Sequence, residues 1–140
     1  GEITLNSSDP YDYPKILFNY LKDEEDLKQT RECIHVARKI LSQPALAEHA
    51  GDEVGPGLNA QSDDELNEYI RSKADTAYHP CGTCKMGVDD MAVVDQDLKV
   101  NGIGNLRVID ASVIPEIPSA NLNAPTLMIA EKGSEAILNN

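Results

Sequence analysis

The strongest periodic signal lies between residues 24 and 42, where Leu27, Cys33, Ile34, Ala37, Ile40 and Leu41 recur at helical spacing. The pattern predicts an amphipathic helix, opened by Asp23 or Glu24 and ended shortly before Pro44, with those apolar residues on its inward face. His35 lies beside the stripe and reads as a boundary histidine with no catalytic role. Upstream, residues 3–5 and 15–19 read as two short strands separated by the turn-forming run Asn6-Ser7-Ser8-Asp9-Pro10, and Ile16 and Phe18 share one face of the second.

Residues 48–61 are polar and hold Gly51, Gly55, Pro56 and Gly57, which predicts a loop. Ser62-Asp63-Asp64-Glu65 then has the form of a capping box, opening a helix to about residue 74 with Leu66, Tyr69 and Ile70 inward. Residues 92–94 and 98–100 suggest a hairpin closed around Asp95-Gln96-Asp97. Residues 106–109 form a short apolar strand of the kind found in a larger buried sheet, for which this chain offers too few partners. A last helix is expected over 124–138, with Pro125 in its first turn. Its run Leu127, Met128, Ile129 and Ala130 implies burial against other protein. The class is α+β, with short antiparallel strands and helices.

Charge narrows the partners. The chain has 12 basic and 24 acidic residues, a net charge of −12, which disfavours nucleic acid. Its 41% hydrophobic content supports a packed core, yet no apolar run approaches the ~18 to 20 residues of a membrane span, and no secretory leader is expected. Three cysteines without scaffold spacing fit a reducing compartment, hence a cytoplasmic location.

Chemistry concentrates in residues 78–87, Tyr-His-Pro-Cys-Gly-Thr-Cys-Lys-Met-Gly. His79, Cys81 and Cys84 could be three zinc ligands, but no fourth is apparent. Pro80-Cys81-Gly82-Thr83-Cys84 matches half of the zinc deaminase pattern, whose His-x-Glu half is missing at both His35 and His49. A third reading makes His79 a general base on a rigid loop, with Cys81 and Cys84 as packing residues. A tight turn in which His79 only bonds backbone accounts for the run equally well.

Further runs decide between these. Val93-Val94-Asp95, Asn105-Leu106-Arg107-Val108-Ile109-Asp110-Ala111-Ser112 and Asn121-Leu122-Asn123-Ala124-Pro125 follow the 78–87 run in order. Together they resemble the C-terminal part of the glucose-methanol-choline (GMC) flavoprotein oxidoreductases. The 78–87 run and Pro14-Lys15-Ile16-Leu17-Phe18-Asn19-Tyr20 look most like the choline-oxidising members. The resemblance implies a substrate-domain portion over 1–100 and, over 101–140, a strand and helix that complete an FAD-binding domain. The glycine-rich dinucleotide fingerprint is absent, since Gly102-Ile103-Gly104 lacks a third glycine at the needed place. The N-terminal FAD-binding half is therefore the expected partner, and this portion alone is expected to be inactive.

By the same resemblance, His79 is the base that takes the hydroxyl proton of an alcohol, choline being the expected substrate. Asn121 is its partner at the start of the last helix, with Asn123 two residues away and able to exchange roles with it. Leu122 and Asn123 would lie against the isoalloxazine of FAD, and Asp110 and Ala111 near its ribityl and phosphate portion. Hydride would pass to flavin N5. In this family residues 48–61 approach the substrate cavity, and some members attach peripherally to membranes. Two alternatives stay open, another GMC alcohol dehydrogenase or oxidase, and a non-catalytic zinc or interaction module.

Overall fold

The computed structural model describes residues 1–139. Its class is α+β: β1 (Glu2–Thr4), β2 (Lys15–Leu17), α1 (Glu24–Leu41), a 3-10 turn at Pro44–Leu46, α2 (Asp63–Lys73), a second 3-10 turn at Ala111–Val113, and α3 (Asn123–Leu138). The chain divides into two compact units, Gly1–Asp75 and one that begins at Thr76. Residue 100, the expected domain limit, falls inside the second.

In the first unit β1 and β2 pair antiparallel, with Ile3 opposite Ile16. The Asp23 carboxylate caps α1 by accepting from the Glu25 N–H at 2.9 Å. Glu24, Glu25 and Asp26 in the first turn and Arg38 and Lys39 in the last complement the helix dipole. At α2 both halves of the capping box form, Ser62 Oγ accepting from Glu65 N at 3.3 Å and Glu65 Oε2 from Ser62 N at 2.9 Å. The two helices pack on each other around buried Leu27, Leu66 and Ile70.

The inward face of α1 differs from the expected stripe. Cys33, Ala37, Ile40 and Leu41 are exposed, Ile40 and Leu41 by 56% and 59%. The covered arc is Leu27, Arg31, Ile34 and Arg38, a spacing of four, three and four residues that keeps one side of a helix. Both arginines on it have polar partners. Arg31 reaches Asn67 Oδ1 at 2.6 Å and Asp63 at 3.4 Å. Arg38 donates to both Glu53 oxygens and to the carbonyls of Gly57 and Ala60.

The same Glu53 carboxylate accepts from the Gly57 N–H at 3.1 Å, so one ion pair closes the expected 48–61 loop from inside. The Arg38 guanidinium beside it lowers the Glu53 pKa. A depressed carboxylate stabilises the folded loop above its unfolded value near 4.5, and that contribution is lost as pH falls through the lower folded value. The Gly57 amide resonance should therefore titrate with a midpoint below the ordinary glutamate range, and Arg38→Ala should move that midpoint upward. A midpoint unchanged by Arg38→Ala would remove the guanidinium as cause.

The core of the second unit is Val94, Leu98, Val113 and Ile129, with Met86, Val100 and Ile109 packed against it. The expected hairpin is present as an antiparallel bridge between Val94 and Val100. Asp95 Oδ1 fixes its turn by accepting from the N–H groups of Asp97 and Lys99, both at 2.9 Å. Residues 106–108 find their neighbour locally, through Val100 N to Leu106 O and Val108 N to Leu98 O. These are ladder bonds too few to make a strand. Helix α3 lies close behind them: a Cβ at Gly133 would run into the Ile109 side chain, which would have to move to admit any larger residue. Its Leu127 and Met128 are exposed by 60% and 56%.

Candidate functional site

The 78–87 loop is built from unusual backbone and tied down by main-chain bonds. Tyr78 has φ +58° and Gly82 φ +87°. Lys85 N closes a turn on Gly82 O at 3.2 Å. Cys84 N then donates to Ser112 O at 3.0 Å and Met86 N to Val113 O at 2.8 Å, stitching the loop to the second 3-10 turn. Lys85 Nζ lies 2.9 Å from Asp89 Oδ1, and this bond holds the Asp89 carboxyl below its ordinary range.

His79 is half-buried, with Nδ1 3.0 Å from the Tyr78 carbonyl. A carbonyl can only accept, so the contact selects the tautomer protonated at Nδ1 and leaves the Nε2 lone pair open. That is the protonation state a general base needs. His79 makes no hydrogen bond to Asn121 or Asn123 among the described residues.

Asp110 caps the second 3-10 turn, its Oδ1 accepting from Ser112 N at 2.8 Å and Ser112 Oγ at 2.5 Å. Its carboxylate is exposed, and Ala111 is half-buried behind it. Helix α3 packs on this turn, Ile129 sharing the core with Val113. One unit thus holds the His79 loop, the Asp110–Ala111 segment and the helix carrying Asn123.

At the start of α3 the two asparagines differ. Asn121 Oδ1 accepts from Asn123 N at 3.0 Å, an Asx turn just ahead of the helix that leaves the Asn121 Nδ2 donor without a partner among the described residues. The Asn123 carboxamide is exposed and has no partner among the described residues. Leu122 is buried, so its backbone is what it offers to the outside. Its carbonyl accepts from Thr126 N at 3.0 Å and Thr126 Oγ1 at 2.7 Å.

Cys33, Cys81 and Cys84 are free thiols. Among the described residues, no group of three His, Cys, Asp or Glu side chains converges as a metal ion requires, and no helix is long and apolar enough to cross a membrane.

The family model for the C-terminal part of GMC oxidoreductases matches residues 1–130. The chain belongs to the GMC oxidoreductase family. It is similar to the oxygen-dependent choline dehydrogenase of Klebsiella pneumoniae, 52% identical over 137 residues, which are 98% of this chain and 25% of that protein. Among solved structures it is similar to pyridoxine 4-oxidase from Mesorbium loti, with TM-score 0.90 and 31% identity over 99% of this chain and 27% of that one. It is also similar to formate oxidase of Aspergillus oryzae, with TM-score 0.89 and 34% identity over 99% and 24%. The GMC chain spans about a quarter of the length of the curated relatives it matches.

Two residues at this candidate site, Ser112 and Thr126, were not singled out from the sequence. Ser112 lends its carbonyl to the His79 loop and its hydroxyl to Asp110, and no local spacing advertises a contact made 28 residues from Cys84. Thr126 did carry a signal, since a threonine four residues after a cap position can bond the cap carbonyl. Asn121 was named from the sequence, and its Oδ1 bond to Asn123 N is the turn that asparagine favours just ahead of a helix.

Proposed function

We propose that this chain is the C-terminal, substrate-side portion of an FAD-dependent alcohol dehydrogenase acting on choline. The observation that carries the reading is the main-chain stitching of the His79 loop to the 112–113 turn on which α3 packs, because it unites the base, the Asp110–Ala111 segment and the Asn123 helix. The 52% identity to a protein named as an oxygen-dependent choline dehydrogenase supports the substrate. FAD follows from the family, and the similar formate oxidase structure concerns FAD modification.

The donor set at α3 fits a flavin. The Ala124 N–H has no acceptor among the described residues and Pro125 has no N–H, so the helix presents an open donor and the positive end of its dipole. FAD would supply the hydride acceptor there, at N5. Asp110 and Ala111 would lie along its ribityl and phosphate portion, and the Leu122 backbone with Asn123 against the ring.

His79 takes the hydroxyl proton of the alcohol at Nε2, the nitrogen left open by the Tyr78 contact. The carboxamide of Asn123 donates to the alkoxide oxygen as negative charge develops, and fixes its orientation. Asn121 keeps its Oδ1 bond to Asn123 N, and the substrate contact is assigned to Asn123 as the residue on the helix itself. The upstream portion of the enzyme supplies the dinucleotide fingerprint and the rest of the cavity.

Anaerobic addition of choline to the complete enzyme should bleach the visible flavin band. Bleaching by another alcohol but not by choline would sink the substrate assignment. Asn123→Ala should slow that step by at least about tenfold, below the ~10²–10³ typical of a lost oxyanion donor. Asn121→Ala should instead remove one exposed turn bond and leave the rate within a few-fold. The reverse ranking would return the substrate contact to Asn121. Titrated with FAD alone, the 140-residue chain should show no saturable quenching of flavin fluorescence.

A further inference from the structure

The hydroxyl of Ser112 has no task that the local turn requires. Asp110 caps the 3-10 turn at Ala111–Val113 by accepting from Ser112 N at 2.8 Å, and any residue but proline would supply that N–H. Yet Ser112 Oγ sends a second donor to the same oxygen, Asp110 Oδ1, at 2.5 Å, the length of a charge-assisted O–H···O⁻ bond. The carbonyl of Ser112 accepts from Cys84 N at 3.0 Å, and the next carbonyl, of buried Val113, accepts from Met86 N at 2.8 Å. The hydroxyl therefore stands on backbone that the 78–87 loop and the core hold in place.

Two donors on one oxygen decide where the other oxygen points. The torsion that turns a carboxyl end is soft, so a single N–H bond leaves it free to swing. The second bond to Oδ1, from the Ser112 side chain, restrains that rotation. Oδ2 is left with no hydrogen-bond or ion-pair partner among the described residues, on an exposed side chain. A carboxylate only accepts, and its charge repels phosphate. Along the ribityl and phosphate portion of FAD, the groups able to meet Oδ2 are hydroxyls.

We propose that the Ser112 hydroxyl is a positioning group for FAD, holding the Asp110 carboxylate so that Oδ2 is set to accept from a ribityl hydroxyl. Ser112 acts through Asp110 and does not touch the cofactor. This role rests on the placement of Asp110 along FAD under the proposed function.

FAD affinity of the complete enzyme, stripped of flavin and titrated without alcohol by fluorescence quenching, tests this role independently of the substrate. Asp110→Ala should weaken FAD at least about tenfold, as expected for a bond to a charged group. Ser112→Ala should weaken it at least about fivefold, the scale of one net hydrogen bond. Ser112→Thr keeps the hydroxyl and should bind within about twofold of wild type. In the Asp110→Ala background, Ser112→Ala should bring no further loss, because the hydroxyl then has no carboxylate to hold. Damage to the fold at Ser112 would persist in that background, and such an additive loss would overturn the proposal. A threonine variant as weak as the alanine one would overturn it as well, by tracing the loss to packing. So would a Ser112→Ala affinity equal to wild type while Asp110→Ala binds weakly, a result that leaves the placement of Asp110 intact. FAD held by Asp110→Ala as tightly as by wild type would remove Asp110 from the cofactor, and Ser112 with it.

Discussion

His79→Ala in the complete enzyme should lower the rate of flavin reduction by choline at least ~10²-fold, the lower end for a positioned acid or base. The expectation rests on two features. The 78–87 loop is fixed by bonds from Cys84 N and Met86 N, so the imidazole starts from a held position. The Tyr78 carbonyl holds the proton on Nδ1, which frees Nε2 to accept one. Flavin content and melting temperature should be unchanged, since among the described residues the half-buried ring makes a single hydrogen bond, to the carbonyl of its own neighbour Tyr78. A variant within twofold of wild type would remove His79 from the proton transfer.

Leu66→Ala should destabilise the first unit by ~2–5 kcal/mol, the range for emptying a fully buried leucine site. Leu66 has no exposed surface and sits on the α2 face that meets α1, beside Leu27 and Ile70. Loss of its methyl groups leaves a cavity that two short helices joined by a clamped loop cannot readily close. Hydrogen exchange of the α1 and α2 amides should quicken by at least ~30-fold, the equivalent of the ~2 kcal/mol lower bound. Exchange unchanged in both helices would show that Leu66 does not hold them together. The neighbouring Leu58→Ala, at a residue 74% exposed, should leave those rates nearly as they are.

Much of the fold was legible because local chemistry marks ends. Asp23 and Pro44 bracketed α1, Ser62 and Glu65 opened α2, and Pro125 marked the first turn of α3, each by a bond or a missing N–H that acts within four residues. What periodicity does not say is which arc of a helix is covered. Cys33, Ala37 and Ile40 form an apolar stripe, yet the arc covered in this chain runs through Arg31 and Arg38, whose partners lie far away in sequence. The Arg38–Glu53 pair has no local signature for the same reason: its two members are 15 residues apart, across a helix end and a loop.

The candidate site was legible to a similar depth. Residues 78–87 stood out because a histidine and two glycines in ten residues are unusual, and the family resemblance supplied the roles. The sequence could not separate Asn121 from Asn123, since both suit the start of a helix, and the structure adds only that Asn121 Oδ1 is held by Asn123 N while both carboxamide donors stay open. The extended 106–109 segment suggested a distant sheet because an apolar run does not name its neighbour, and the neighbour proved to be residues 98–100.

The stitching of the 78–87 loop to Ser112 and Val113 uses N–H and C=O groups that all residues except proline supply in full. Side chains along both segments can therefore drift under selection without moving the histidine relative to the turn it faces. Changes that shift the register, an inserted or deleted residue between 79 and 86 or a proline at 84 or 86, would move it at once. On the proposed function, side chains around the alcohol can change in a lineage while the position of His79 is inherited with the backbone.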